Sequence, residues 1–136
     1  MSLELVISKI QDIVLGVDGV RTVMEQPTEQ IATWPAIVCY PLEWNAELLT
    51  AGVVTTGGEQ IIVMDMLWPR GRDLPRLVAE ALPFGDSIPA TLFADNDLGN
   101  TVHATTKITG TLGVPRLGPY AGENVFGWTW RIEVMA

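Results

Sequence analysis

Cysteine and histidine each occur once in this chain, at Cys39 and His103, and serine only at Ser2, Ser8 and Ser87. A single cysteine excludes an internal disulfide. One histidine and one cysteine leave no H-E-x-x-H or CxxC spacing for zinc. A Ser-His-Asp triad would have only His103 to use, and no serine stands in a G-x-S-x-G elbow. Cys39 and His103 could act as a nucleophile and base only if the fold brings them together. Cys39 lies inside the apolar run AIVCY and reads more simply as a small buried hydrophobe. Neither G-x-x-x-x-G-K-[ST] nor G-x-G-x-x-G occurs, so no phosphate cradle is expected. The carboxylates are scattered, and no pair stands out as a general acid with its base. From the residues we expect no catalytic set, no metal and no cofactor.

Positive charge is also scarce. Eight Lys and Arg face sixteen Asp and Glu, for a net charge of −8. Tight nucleic-acid binding draws on clustered positive charge, so specific binding to DNA or RNA is not expected, and an anionic lipid surface would repel the chain. No apolar run reaches the roughly 18 residues that span a bilayer, so no membrane segment is expected. The N-terminus MSLELVISKIQ carries Glu4 and Lys9 early and lacks a signal-peptide plan. We expect a protein made and kept in a cytoplasm, or in something assembled there.

What is present is enough for one packed domain over 1–136. Hydrophobic residues make up 48% of the chain, a globular proportion. Leu3, Val6, Ile7, Ile10, Ile13, Val14 and Val17 recur at helical spacing, predicting a helix over 2–16 with Ser2 as N-cap and Gly16 and Gly19 as the stop. VRTVMEQ, 20–26, is a short possible strand. WPAIVCYPL, 34–42, reads as a strand on or near an edge, because proline stands at both ends. Residues 43–68 read as a hairpin: one arm over 46–56, a turn at Gly57-Gly58, and EQIIVMDMLW as the other arm. That second arm is apolar on both faces and should sit inside the sheet. Asp73 is a plausible N-cap for a helix facing inward through Leu74, Leu77, Val78, Ala81 and Leu82. Pro83 and Gly85 should break it, with a second helix over about 86–94.

DNDLGN, 95–100, superficially resembles a calcium loop. The sixth position is Asn100 rather than Gly and the twelfth is Thr106 rather than Glu, so it reads as a turn. TVHATTKITGTL reads as a Thr-rich strand, and GVPRLGPYAGEN, 113–124, as a long loop. In the closing stretch ENVFGWTWRIEVMA, Phe126, Trp128, Trp130, Ile132 and Val134 fall on alternate positions. That is a strand with one face made for burial. Together these elements predict an α+β fold. It is a single domain with a mostly antiparallel mixed sheet of four to five strands, and an N-terminal helix and a broken second helix packed on one face. PRGRDLPR, 69–76, is the one basic patch in the acidic chain, and its arginines could pair with carboxylates of a neighbouring surface.

The layout resembles a known family. In MLWPRGRDLPRLVAEALPFGDSIPATLFADNDLGNTV a strand ends in a P-R-G loop. A helix starts D-L-P, breaks at L-P-F, resumes, and ends A-D-x-x-L-G-x-T-V. A Thr-rich strand, a loop with Y-x-G at Tyr120 to Gly122, and a closing G-W-x-W-x-I-E-V strand follow; W-P-A-I-V-C-Y-P lies upstream. This is similar to the tail terminator, or tail completion, proteins of long-tailed siphovirus-type bacteriophages, the lambda-like tail-terminator family. The resemblance spans nearly the whole chain. It implies a non-enzymatic virion protein, assembled in the host bacterial cytoplasm. It implies a homo-oligomeric ring, a hexamer, on the end of the tail tube protein, with a head-side connector or completion protein as the other partner. Genomic DNA would pass through the lumen without specific binding; the net charge of −8, not the resemblance, suggests that an acidic wall would help by like-charge repulsion. Under this reading Arg70, Arg72, Arg76, Arg116 and Tyr120 are candidate subunit or partner contacts, and the loops 43–58 and 113–124 are candidate docking elements. The alternatives are another phage neck protein, a minor tail protein, a small enzyme using Cys39 or His103, and a cellular ligand-binding α+β module.

Overall fold

The computed structural model describes residues 3–20, 22–24, 35–48, 54–56, 58–69, 74–113 and 125–135. The elements run α1 (Leu3–Leu15), β1 (Thr22–Met24), β2 (Ala36–Glu43), β3 (Ala46–Leu48), β4 (Val54–Thr56), β5 (Glu59–Pro69), α2 (Leu74–Ala81), α3 (Phe84–Ala94), β6 (Ala104–Gly113) and β7 (Val125–Met135). One five-stranded sheet has the order β1-β2-β5-β7-β6. β1 pairs with β2 in parallel, and every other pairing in the sheet is antiparallel. The expected α+β architecture is present.

The core lies between the helices and one face of this sheet. α1 contributes Val6, Ile10 and Val14, each fully buried, at the spacing that keeps them on one side of a helix. α3 contributes Phe84, Ile88 and Leu92 by the same rule. They meet Ile37 and Cys39 from β2, Ile62, Met64, Met66 and Trp68 from β5, and Trp130, Ile132 and Val134 from β7. The alternation predicted for the closing strand holds at Trp130, Ile132 and Val134, which are buried, whereas Phe126 and Trp128 are half-buried and the buried residues at that end are Val125 and Gly127 on the opposite face. Trp128 and Trp130 stack with ring centroids 4.7 Å apart. The Trp128 indole N–H donates to the carbonyl of Ala81 at 2.8 Å and ties the sheet to the end of α2. Trp68 meets Phe84 at 5.7 Å, in a tilted arrangement favoured by aromatic pairs.

The break between α2 and α3 falls at Leu82 and Pro83, with Pro83 at the N-cap of α3. Proline cannot donate a helical N–H, but at a helix start that donor has no intrahelical partner anyway. The second helix therefore begins at Phe84 rather than 86 and takes Gly85 into its first turn. Asp73 and Ser2, the expected N-caps, lie outside the described residues. The turn at 95–100 forms as expected. It holds Leu98, Gly99 and Asn100 at positive φ, and the buried Leu98 side chain anchors it. Thr101 and Val102 still donate their N–H groups to the Asp97 carbonyl. This delays β6 to Ala104, three residues later than the Thr-rich pattern predicts.

The large hairpin expected over 43–68 does not form. β5 pairs with β2 on one side and β7 on the other. β4 instead pairs with β3 in a separate two-stranded sheet. The cause is visible in β5: all its residues from Gln60 to Trp68 are buried. Such a strand needs long neighbours on both edges, and β2 and β7, eight and eleven residues, supply them, while β4 is three residues long. Gly58 does take the positive φ of a turn, at +72°. β2 bulges between Pro41 and Glu43 and pairs once more at Glu43–Ile61; beyond its end the Gln60 side chain takes over from the strand backbone. Its amide accepts from the Asn45 N–H and donates to the Asn45 carbonyl at 2.8 Å, as a strand backbone would.

Candidate interaction surfaces

The first question is whether the sparse reactive groups meet. They do not. Cys39 is buried, and burial followed by the nearby Asp65 charge pushes its thiol well above the ordinary range. A thiol held in that state is a poor nucleophile. The sheet register runs Cys39, Met64, Trp130, Gly110 from β2 across to β6. Three inter-strand steps place Cys39 about 14 Å from that point of β6. His103 precedes the other end of β6, is exposed, and donates its backbone N–H to the Met135 carbonyl at 2.8 Å. The Cys39–His103 pair is not assembled. Among the described residues, no three His, Cys, Asp or Glu side chains converge as metal ligands would. In the 95–100 turn the Asp95 carboxylate accepts from the Gly99 N–H at 3.0 Å, and the Asn96 amide oxygen accepts from the Thr105 N–H at 3.0 Å. Those oxygens cap backbone N–H donors of the turn.

Two other charged groupings stand on the sheet face away from the helices. Asp65 is fully buried there and accepts from Thr129 Oγ1 at 3.1 Å and from the Tyr40 hydroxyl at 3.4 Å. It lies beside a second apolar cluster of Ala36, Val38, Leu67 and Val125. Toward the far end of the same face, Glu59 and Glu133 meet. A hydrogen bond with Glu133, then repulsion from its charge, raises the Glu59 carboxyl above the ordinary range; Arg131 opposes the shift and Glu43 adds to it. This is an exposed acidic end of the sheet.

Of the five contact candidates read from the sequence, only Arg76 lies in a described segment. It is exposed on α2 and pairs with Glu80 at 3.3 Å, one helical turn on. Arg70, Arg72, Arg116 and Tyr120 lie outside the described residues, as do 49–53, Gly57 and 114–124 within the two docking loops. The described structure therefore brings none of the five together.

The surface that sequence reading missed is the outer edge of β6. β7 has no free edge, because β5 and β6 flank it. The sheet instead ends at β6, ten residues long, and no described strand pairs with its far side. Thr106, Lys107, Thr109, Gly110 and Thr111 are exposed, and Ile108 and Leu112 are half-buried. An unpaired row of N–H and C=O groups is a ready template for another chain. The opposite edge strand, β1, has three residues. The signal in the sequence was the run of threonines, which marks a strand but not its position in the sheet. Among the described residues no helix is long and apolar enough to cross a membrane. Compared with known proteins, the chain matches no family model, and no curated protein matches it at a significant level.

Proposed function

We propose that this chain is a structural virion protein of the tail-terminator kind. In this reading it forms a ring on the tail tube of a long-tailed phage, ends tube polymerisation and offers the surface to which the head-side connector joins. The order, length and breaks of its elements, as read from the sequence, suggest the family. The observation that carries the functional reading is the contrast at the end of the sheet: a closing strand enclosed on both edges beside a ten-residue strand whose outer edge no described strand pairs with. A protomer of a ring needs a stiff frame and a surface left for its neighbour. β7 supplies the first and β6 offers the second. The buried, charge-repelled thiol of Cys39 and its separation from His103 also favour work by surfaces over work by a Cys-His dyad.

The test is to mix the purified chain with purified tail tubes and to examine them by negative-stain microscopy and light scattering. The expected result is an annular cap on one end of each tube and a halt to further tube growth. Tubes that stay bare and continue to grow would overturn the reading. A chain that ignores tubes but binds the portal side of emptied heads would move it to the connector side of the neck.

A further inference from the structure

We propose that the Asp18–Gly19 peptide, in the turn after α1, is a site of spontaneous covalent modification. In the folded chain it rearranges slowly to an isoaspartyl linkage.

The sequence holds one Asp-Gly pair and no Asn-Gly pair. In such a pair the glycine nitrogen can reach the side-chain carboxyl of the residue before it, since glycine carries no Cβ to obstruct the approach. Whether it reacts depends on what the fold does with both groups. The Val20 N–H donates to the Val17 carbonyl at 3.2 Å, so Asp18 and Gly19 are the central residues of a tight turn. Gly19 stands at φ +94°, and Asp18 is not among the residues at positive φ. That combination marks a type II turn, which calls for glycine at this place. The closing hydrogen bond of such a turn uses the N–H of the fourth residue and leaves the central amide out. Accordingly, among the described residues, neither the Gly19 N–H nor the Asp18 carboxylate is engaged in a hydrogen bond or ion pair. Both residues are exposed.

The other described aspartates are held differently. Asp12, Asp65 and Asp86 lie inside α1, β5 and α3. The Ser87 N–H, which follows Asp86, donates to the Pro83 carbonyl at 3.3 Å. The Asp95 carboxylate accepts from the Gly99 N–H at 3.0 Å, and the Leu98 N–H, which follows Asp97, donates to the Asp95 carbonyl at 2.8 Å.

The step needs only water. The Gly19 nitrogen attacks the side-chain carboxyl carbon of Asp18, protonated from solvent. A C–N bond forms, and the amide proton and the carboxyl hydroxyl leave together as water, giving a five-membered succinimide. Water then opens the ring. Attack at the side-chain carbonyl restores aspartate. Attack at the main-chain carbonyl leaves the chain running through the former side chain, with a free α-carboxylate and no net change in mass. The main chain is then one carbon longer between Val17 and Val20. Gly19 sits against the Phe84 ring, where a Cβ would stand 3.0 Å from Cζ. The added carbon pushes the turn off that seat and breaks the Val20–Val17 hydrogen bond.

This inference rests on the turn alone and is independent of the tube-capping reading. The test is to age the purified full chain in warm neutral buffer, folded or unfolded in urea. Each sample is then digested with an endoprotease that cuts before aspartate but not before isoaspartate. In the folded sample the Val17–Asp18 bond should become resistant, in a peptide of unchanged mass and altered retention, while cutting before Asp86 continues. In urea Asp86–Ser87 should begin to isomerise as well, because its amide has left the helix. Asp18→Glu keeps the charge but would need a six-membered ring, and should cut the modified fraction at least about tenfold, equivalent to a barrier higher by about 1.4 kcal/mol. The isomerised fraction, separated by chromatography, should unfold at lower urea than the fresh chain. An Asp18 that isomerises in urea but stays intact in the folded chain would overturn the proposal, as would equal modification of Asp18 and Asp86 in the folded chain. An unchanged urea midpoint of the isomerised fraction would overturn the link to the Phe84 seat.

Discussion

β7 and β6 lie side by side, eleven and ten residues long, and differ in how their edges are held. β7 is held between two strands, and its inward residues sit under the helices. Among the described residues β6 has one partner strand, and five of its ten residues are exposed. The same backbone hydrogen-bonding groups that make β7 stiff leave β6 able to bind another chain. Position in the sheet, not strand propensity, separates the enclosed strand from the one at the edge.

Glycine substitutions break the comparison most directly. A Cβ at Gly127 in β7 would stand 1.8 Å from the Met66 carbonyl oxygen, and β7 cannot move aside between two partners. Gly127→Ala should cost about 3 kcal/mol by overpacking against backbone, lowering Tm by roughly 10 °C. At Gly110 in β6 a Cβ would meet the Trp130 ring at 2.4 Å. The edge strand can shift outward, so Gly110→Ala should cost less, about 1–2 kcal/mol by chemical denaturation. Equal losses at the two positions would remove the distinction between an enclosed and a yielding strand.

Trp128→Phe takes away the N–H that reaches Ala81 and leaves that carbonyl without its donor. A loss of about 1–2 kcal/mol is expected, with the signals of α2 moving in NMR spectra. Trp130 is a useful contrast: its indole N–H is buried without a partner. Trp130→Phe should therefore forfeit packing only, and a similar displacement of α2 signals there would contradict the tie between Trp128 and Ala81.

At the acidic end, the folded Glu59 carboxyl titrates above its unfolded value. The folded state then holds its proton more tightly than the unfolded state. Stability from this group rises as pH falls through the folded value toward the unfolded one, and is lost above both. Glu59→Gln should raise Tm slightly at neutral pH and make no difference below the ordinary carboxylate range. A Tm gain that grows as pH falls would reverse the sign. The smallest effect is expected at Arg76→Ala. The Arg76–Glu80 pair is exposed at both ends, and such pairs contribute about 0.5 kcal/mol or less.

The sequence made the helices and the closing strand legible because each buries one regular stripe: Val6, Ile10 and Val14 at helical spacing, and Trp130, Ile132 and Val134 at strand spacing. Pro83 made the break legible because proline lacks the helical N–H donor and crowds the preceding turn, although α3 carries Pro89 within it, so proline alone did not fix where the helices end. Pairing was not legible. The Gly57-Gly58 turn suggested that its two flanks join, yet β5 needed longer neighbours and found them in β2 and β7. The open edge was hidden for the same reason: threonines in β6 report a strand, while its place in the order is fixed by which strands compete for β7. The arginine patch drew notice as a charge anomaly, and its one described member proved to be paired along its own helix.

Hydrogen exchange by mass spectrometry, on dilute and concentrated chain, tests the contrast between frame and open edge most directly. Amides of β5 and β7 should exchange slowly at both concentrations. Outward amides of Lys107 to Gly113 should exchange quickly when dilute and become protected as the chain associates. If the β6 amides are as slow as those of β7 in dilute solution, or stay fast in every assembled state, β6 is not the contact surface and the account is wrong.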